Sequence, residues 1–130
     1  MNTQQQNRAA AFHAFWNSFT IPAYEESTVP NYNGGTAALP YITYNAVDGD
    51  IDHPMQLTAS IWYRDASWEA IENKAAEIRE AIGYGGKVVP CLGGAMWIKR
   101  GDPFGQRMAE PSDAGIRRIV LTVEVDYFIM

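Results

Sequence analysis

The chain is poor in the residues that do most biological chemistry. It has one cysteine, Cys91, and two histidines, His13 and His53. A lone cysteine forms no internal disulfide and builds no thiolate metal cluster, so a reducing compartment such as a cytosol is expected. No window approaches the ~18 consecutive apolar residues of a membrane-spanning helix. The first apolar stretch follows Met1–Asn7 and is a broken Ala/Phe pattern, so no export signal is expected. Basic residues are also scarce, ten against fifteen acidic. The net charge of −5 disfavours general nucleic-acid binding, which needs a concentrated basic footprint.

What is present is an ordinary globular composition, 47% hydrophobic and 19% charged, in 130 residues. That length suits one domain over 1–130. Five Phe, four Trp and seven Tyr are a rich aromatic supply, enough for contact surfaces as well as a core. The charge is unevenly spread. Residues 1–65 carry −4, while 99–118 carry +2 through Lys99, Arg100, Arg107, Arg117 and Arg118 against Asp102, Glu110 and Asp113. Such polarity suits contacts between unlike surfaces of identical subunits, and solvated loop charge is the plainer alternative.

Periodicity gives the elements. Phe12, Phe15, Trp16 and Phe19 form one helical stripe, with Thr3 as N-cap, Gln6 three residues on, and an end before Ile21-Pro22. Residues 22–40, punctuated by proline and glycine, form a long excursion with room for short extended pieces near 23–30. Residues 40–45 and the alternating 55–63 read as an antiparallel hairpin around the turn Asp48-Gly49-Asp50. A second helix starts near Ser67, with Trp68, Ile71, Ala75, Ile78 and Ile82 inward and a stop at Gly83.

Two short strands follow, 87–90 and 95–99, and Pro90 puts the first at an edge or at its own end. Residues 101–115 read as a second long loop. The last strand, from Ile116 or Arg117 to Phe128, turns Ile119, Leu121, Val123, Val125 and Tyr127 one way. The order α-β-β-α-β-β-β predicts a single α+β domain, a mostly antiparallel β-sheet with two helices packed on one face and long loops.

No local motif joins Cys91 to either histidine, and a nucleophilic pair would need distant segments to converge. Asp48, Asp50 and Asp52 resemble the start of a calcium loop. They lack its glycine at the sixth position, occupied by His53, and its glutamate at the twelfth, occupied by Ala59. The glycines of 83–87 follow a helix and do not open one, so they present no helix N-terminus to phosphate. No catalytic, cofactor or metal residues are assigned, and the expectation is a protein that is not an enzyme.

Two surface features remain. In loop 101–115, Phe104 and Met108 sit among Lys99, Arg100, Arg107 and Glu110, and apolar anchors ringed by charge are the usual material of an interface. Tyr24 and Tyr32 mark the excursion 22–40. The alternative is that Phe104 folds back onto the core beneath a solvated loop.

Several segments together resemble a known family. They are Pro40–Tyr44, Ser60–Trp68, Gly85–Pro90, Gly94–Gln106 and Ile116–Leu121. In these the chain is similar to the tail terminator, or tail completion, proteins of long-tailed siphophages, akin to the U-type minor tail proteins. The similar stretches span residues 40–128, and the N-terminal helix fits by position only.

The resemblance implies an α+β, ring-forming subunit without catalysis or cofactor. It would cap the head-proximal end of the tail tube in the virion as a homo-hexameric ring, stop polymerisation, and prepare head–tail joining after assembly in the host cytoplasm. Its implied partners are itself, the tail tube protein and a head–tail connector or neck protein. The resemblance implies no membrane partner and no specific nucleic-acid binding, with a ring through which DNA could pass. A closed head-to-tail ring needs two different complementary patches per subunit. The rival readings are a head-side neck connector, a phage-borne host-binding module, and a small enzyme using Cys91 with a histidine.

Overall fold

The structure, a computed structural model, describes residues 7–29, 31–32, 35–36, 38–45, 53–109 and 113–129. The first helix, α1 (Arg8–Trp16), is capped by Asn7, whose side chain accepts the Ala10 amide at 2.8 Å. Thr3 and Gln6, expected to cap it, lie outside the described residues. The helix stops at Trp16, earlier than the aromatic stripe predicts. Asn17 and Ser18 end it, because their short polar side chains bind backbone in place of a further turn. Ser18 Oγ donates to the Phe15 carbonyl, and Asn17 Oδ1 accepts the Ala23 amide. Thr20 then adopts a left-handed conformation, φ 68°. Phe19, beyond the helix, is still buried with Phe12, Phe15 and Trp16.

The excursion holds β1 (Ala23–Glu25), a 3-10 turn (Glu26–Thr28), and a small ladder of β2 (Asn31–Tyr32) with β3 (Gly35–Thr36). Next come β4 (Tyr41–Tyr44), β5 (Met55–Arg64), α2 (Glu69–Ile82), β6 (Lys87–Cys91), β7 (Gly94–Met108) and β8 (Ile116–Ile129). Six strands form one sheet in the order β1-β4-β5-β8-β7-β6, antiparallel except for the parallel β1–β4 pair. The turn Asp48-Gly49-Asp50, expected between β4 and β5, lies outside the described residues. Pro90 sits in β6, an edge strand, where a missing amide costs least.

Register puts the apolar positions of neighbouring strands side by side: Leu57 opposite Val123, Ala59 opposite Leu121, Ile61 opposite Ile119. Against this face α2 packs Ile71, Ala75, Ile78 and Ile82. Fully burying each isoleucine is worth about 1.5–3 kcal/mol. The other helix, α1, touches both β1 and β6, the two ends of the strand order, so the sheet curls around it. Both helices and the inner faces of the strands share one hydrophobic cluster. The result is the α+β domain that the sequence predicts.

One expected element is corrected. Residues 101–108 are not loop, because β7 runs fifteen residues from Gly94 to Met108. Gly101, Asp102 and Pro103, which read as a break, are absorbed in a bulge between Arg100 and Gly105. Pairing then resumes, from Gly105 opposite Leu121 to Met108 opposite Arg118. A bulge disturbs the ladder only locally, so the strand survives it. Gly101 is required there, since a Cβ would stand 2.8 Å from the Thr122 carbonyl oxygen.

Candidate interaction surface

The residues with nucleophilic or acid–base potential stand on separate elements. His13, on α1, shares a 2.8 Å hydrogen bond between Nδ1 and the Tyr44 hydroxyl. His53 is exposed before β5. Cys91 is buried at the end of β6, where burial pushes its thiol up and the charge of Arg8 acts in the opposite direction. A thiol held protonated and covered is a poor nucleophile. Iodoacetamide is therefore expected to modify Cys91 about 100-fold more slowly in the folded protein than in urea, as followed by mass spectrometry. A comparable rate in both would place the thiol at the surface. Among the described residues no group of three or more His, Cys, Asp or Glu could hold a metal ion. Asp48, Asp50 and Asp52 lie outside them.

The sequence-predicted contact residues separate into distinct environments. Phe104 is 6% exposed and lies in the core cluster, with the Arg79 guanidinium 5.3 Å above its ring. It is therefore not an exposed anchor. Arg107 pairs with Glu72 of α2 at 2.6 Å and lies 4.6 Å over the Trp68 ring. Lys99 bridges Glu124 at 2.9 Å and Asp126 at 3.0 Å, and these bonds raise its pKa. Met108 is exposed at the end of β7. Tyr24, half-buried on β1, meets Tyr41 edge-on at 5.8 Å. Tyr32 is in β2, opposite Gly35. Glu110 lies outside the described residues.

The basic cluster of 99–118 is thus largely committed within the subunit. Glu72, Glu124 and Asp126 answer Arg107 and Lys99. Arg117 donates to the Ala66 and Ala114 carbonyls, and Arg118 covers Trp62 and donates to Ser60 Oγ.

Arg100 differs. Its Nε donates to the Gly83 carbonyl at the end of α2, which aims the rest of the guanidinium into a groove between that helix end and the β7 bulge. The groove has a volume of about 480 Å3 and is lined by Arg79, Tyr84, Arg100, Asp102, Phe104 and Gly105 among others. Among the described residues neither Arg79 nor Arg100 has a carboxylate within ion-pair distance. Tyr84, at the lip, is 100% exposed.

Sequence reasoning missed Arg79 and Tyr84. An aromatic held between Gly83 and Gly85-Gly86, where no core position is expected, is the signal that could have found Tyr84. The outer sheet face carries a second feature, a row running Tyr24, Tyr41, Trp62 and Arg118 across four neighbouring strands. A third is apolar: Val88, Leu92, Phe128 and Ile129 are exposed around the tip of the β6–β7 hairpin and the end of β8.

Compared with known proteins, the chain matches no protein-family model, no curated protein and no solved structure.

Proposed function

We propose that this chain is a structural subunit of a siphophage tail. It closes as a ring on the head-proximal end of the tail tube, ends tube polymerisation and prepares the tail for head joining. The observation that carries the reading is the set of segments at 40–44, 60–68, 85–90, 94–106 and 116–121. Though scattered along the chain, all but Pro40 and the few residues leading into α2 fall on the adjacent strands β4, β5, β8, β7 and β6 or the turn before β6.

Two further features support it. A heterologous ring needs two unlike patches on each subunit. One candidate is the exposed apolar tip of Val88, Leu92, Phe128 and Ile129 around the β6–β7 hairpin, and the other is the aromatic row of Tyr24, Tyr41 and Trp62 at the β1 end of the strand order. Among the described residues His13, His53 and Cys91 also stand on separate parts of the chain, as a scaffold role allows.

The test is deletion of the gene from its phage, followed by negative-stain electron microscopy of the lysate. Overlong or irregular headless tails beside full, tailless heads are the expected result. Tails of normal length that fail to join heads would overturn the terminator role and move the protein to the head-side neck.

A further inference from the structure

The register of β7 has a consequence for its backbone. The Asn45 amide donates to the Thr58 carbonyl, so Thr58, Ser60 and Trp62 turn their backbone groups toward β4. In an antiparallel ladder these directions alternate residue by residue. Ala59 and Ile61 therefore face Leu121 and Ile119, and Arg118 and Val120 turn toward β7. Met108 and Gln106 answer them. The N–H and C=O groups of Gly105 and Arg107 must then point away from the sheet. The next strand, β6, pairs only with Gly94–Ile98 and does not reach them.

This edge is unlike the other two. At β1, the Ala23 amide is taken by Asn17 and the Glu25 carbonyl by Thr28, and α1 packs alongside. At β6, Pro90 removes a donor and α1 again packs alongside. The Gly105–Arg107 edge carries no proline, and although α2 packs on the same strand, among the described residues no hydrogen bond engages its outward groups. Both residues are exposed. An uncovered strand edge is a template for another extended chain.

The Arg79–Arg100 groove begins where this edge begins, since Gly105 lines it. We propose that the edge and groove together take an extended acidic segment of a protein partner. The segment adds as a strand to β7, its backbone paired with Gly105 and Arg107 and one carboxylate between the guanidiniums of Arg79 and Arg100. Tyr84, fully exposed at the lip, closes over the segment; Tyr and Arg are the residue types that dominate such contacts.

Charge and backbone pairing select this occupant. A second copy pairing through the same edge would bring the Arg79–Arg100 cations of one subunit toward those of the other. A polyphosphate backbone carries no N–H and C=O groups in strand register, so it would leave the outward groups of Gly105 and Arg107 unanswered. The inference goes beyond the tail-capping reading and stands or falls without it.

The test is a 15N NMR titration of the wild-type protein. The probe is a short blocked peptide of alternating valine and threonine with one central glutamate, taken to about 5 mM because isolated strand peptides bind in the millimolar range. The Gly105 and Arg107 backbone amides and the Arg79 and Arg100 side-chain Nε signals are expected to shift together. The glutamine version should bind about tenfold more weakly, the usual worth of a charge-assisted pair. N-methylation along the peptide edge that faces β7 should abolish binding.

Three results would overturn the proposal. One is the absence of any shift at Gly105 and Arg107. Another is shifts confined to the two arginines that inorganic phosphate or oligo-dT reproduces, which would mark a simple anion site. The last is concentration-dependent shifts at Gly105 and Arg107 without peptide, which would put a second copy on the edge.

Discussion

Replacing Gly94 with alanine is expected to destabilise the domain by about 3 kcal/mol or more, and to lower the melting temperature by roughly 10 °C. A Cβ at this position would stand 1.7 Å from the Phe128 carbonyl oxygen, 2.8 Å from the Phe128 carbonyl carbon and 3.2 Å from the Ile129 Cα. These are backbone atoms, so no side chain can swing away to relieve the overlap. Gly94 is also held from both sides, opposite Cys91 on β6 and Ile129 on β8. One ladder must therefore open. The damage should concentrate at the closed end of the β6–β7 hairpin, where Ala95 and Met96 are buried.

Gly93→Ala is the control. Nothing lies within 4 Å of its would-be Cβ, and only its φ of 82° is strained. That conformation costs about 1–2 kcal/mol for a residue with a Cβ. Urea melts followed by far-UV circular dichroism would separate the two. A Gly94→Ala protein melting within about 2 °C of wild type would mean that Phe128 and Ile129 do not lie against β7.

The parts of the fold that could be read from the sequence are those whose side chains alternate or recur without interruption. The strand β5, with Leu57, Ala59 and Ile61 inward, is one, as are the Ile71–Ile82 face of α2 and the Ile119–Tyr127 face of β8. In each, local periodicity and tertiary burial ask for the same residues. The distal half of β7 could not be read. Gly101, Asp102 and Pro103 are local signals for a loop, and only pairing with Leu121, Val120, Ile119 and Arg118, many residues later, overrides them. The end of α1 failed for the converse reason. The aromatic stripe continues to Phe19, but Asn17 and Ser18 spend their side chains on backbone groups and close the helix first.

The candidate site was legible only in part. In the sequence Arg100 is one of several charges ringing Phe104 and Met108, yet two of the others, Lys99 and Arg107, are answered by carboxylates from β8 and α2. What sets Arg100 apart is its tether to Gly83 and the company of Arg79, which belong to a different element. Charge counted along the chain shows how many cations exist. It does not show which remain unpaired once β8 and α2 are packed beside them.

Phe104→Ala and Arg107→Ala should have very different consequences although the residues are three apart on one strand. Truncating Phe104 is expected to cost about 3–5 kcal/mol, because its ring is part of the core and its removal leaves a cavity there. The same change removes the floor of the Arg79–Arg100 groove and the ring over which Arg79 is held. Truncating Arg107 is expected to cost about 1 kcal/mol or less. Its pair with Glu72 is well formed at 2.6 Å, but the two side chains are 54% and 43% exposed, and water replaces much of what is lost.

Among the described residues the ring and ion contacts of the two differ, Phe104 meeting Arg79 and Arg107 meeting Glu72 and Trp68. The double variant should therefore be additive within about 0.5 kcal/mol. Equilibrium unfolding of the three variants measures this directly. A Phe104→Ala protein as stable as Arg107→Ala would mean that the ring lies outside the core and is free to act as a contact anchor. With the expected ranking, loss of tail capping by Phe104→Ala would report a damaged fold. The contact role of this edge must then be judged from Arg107→Ala and Arg79→Gln, which leave the core packing in place.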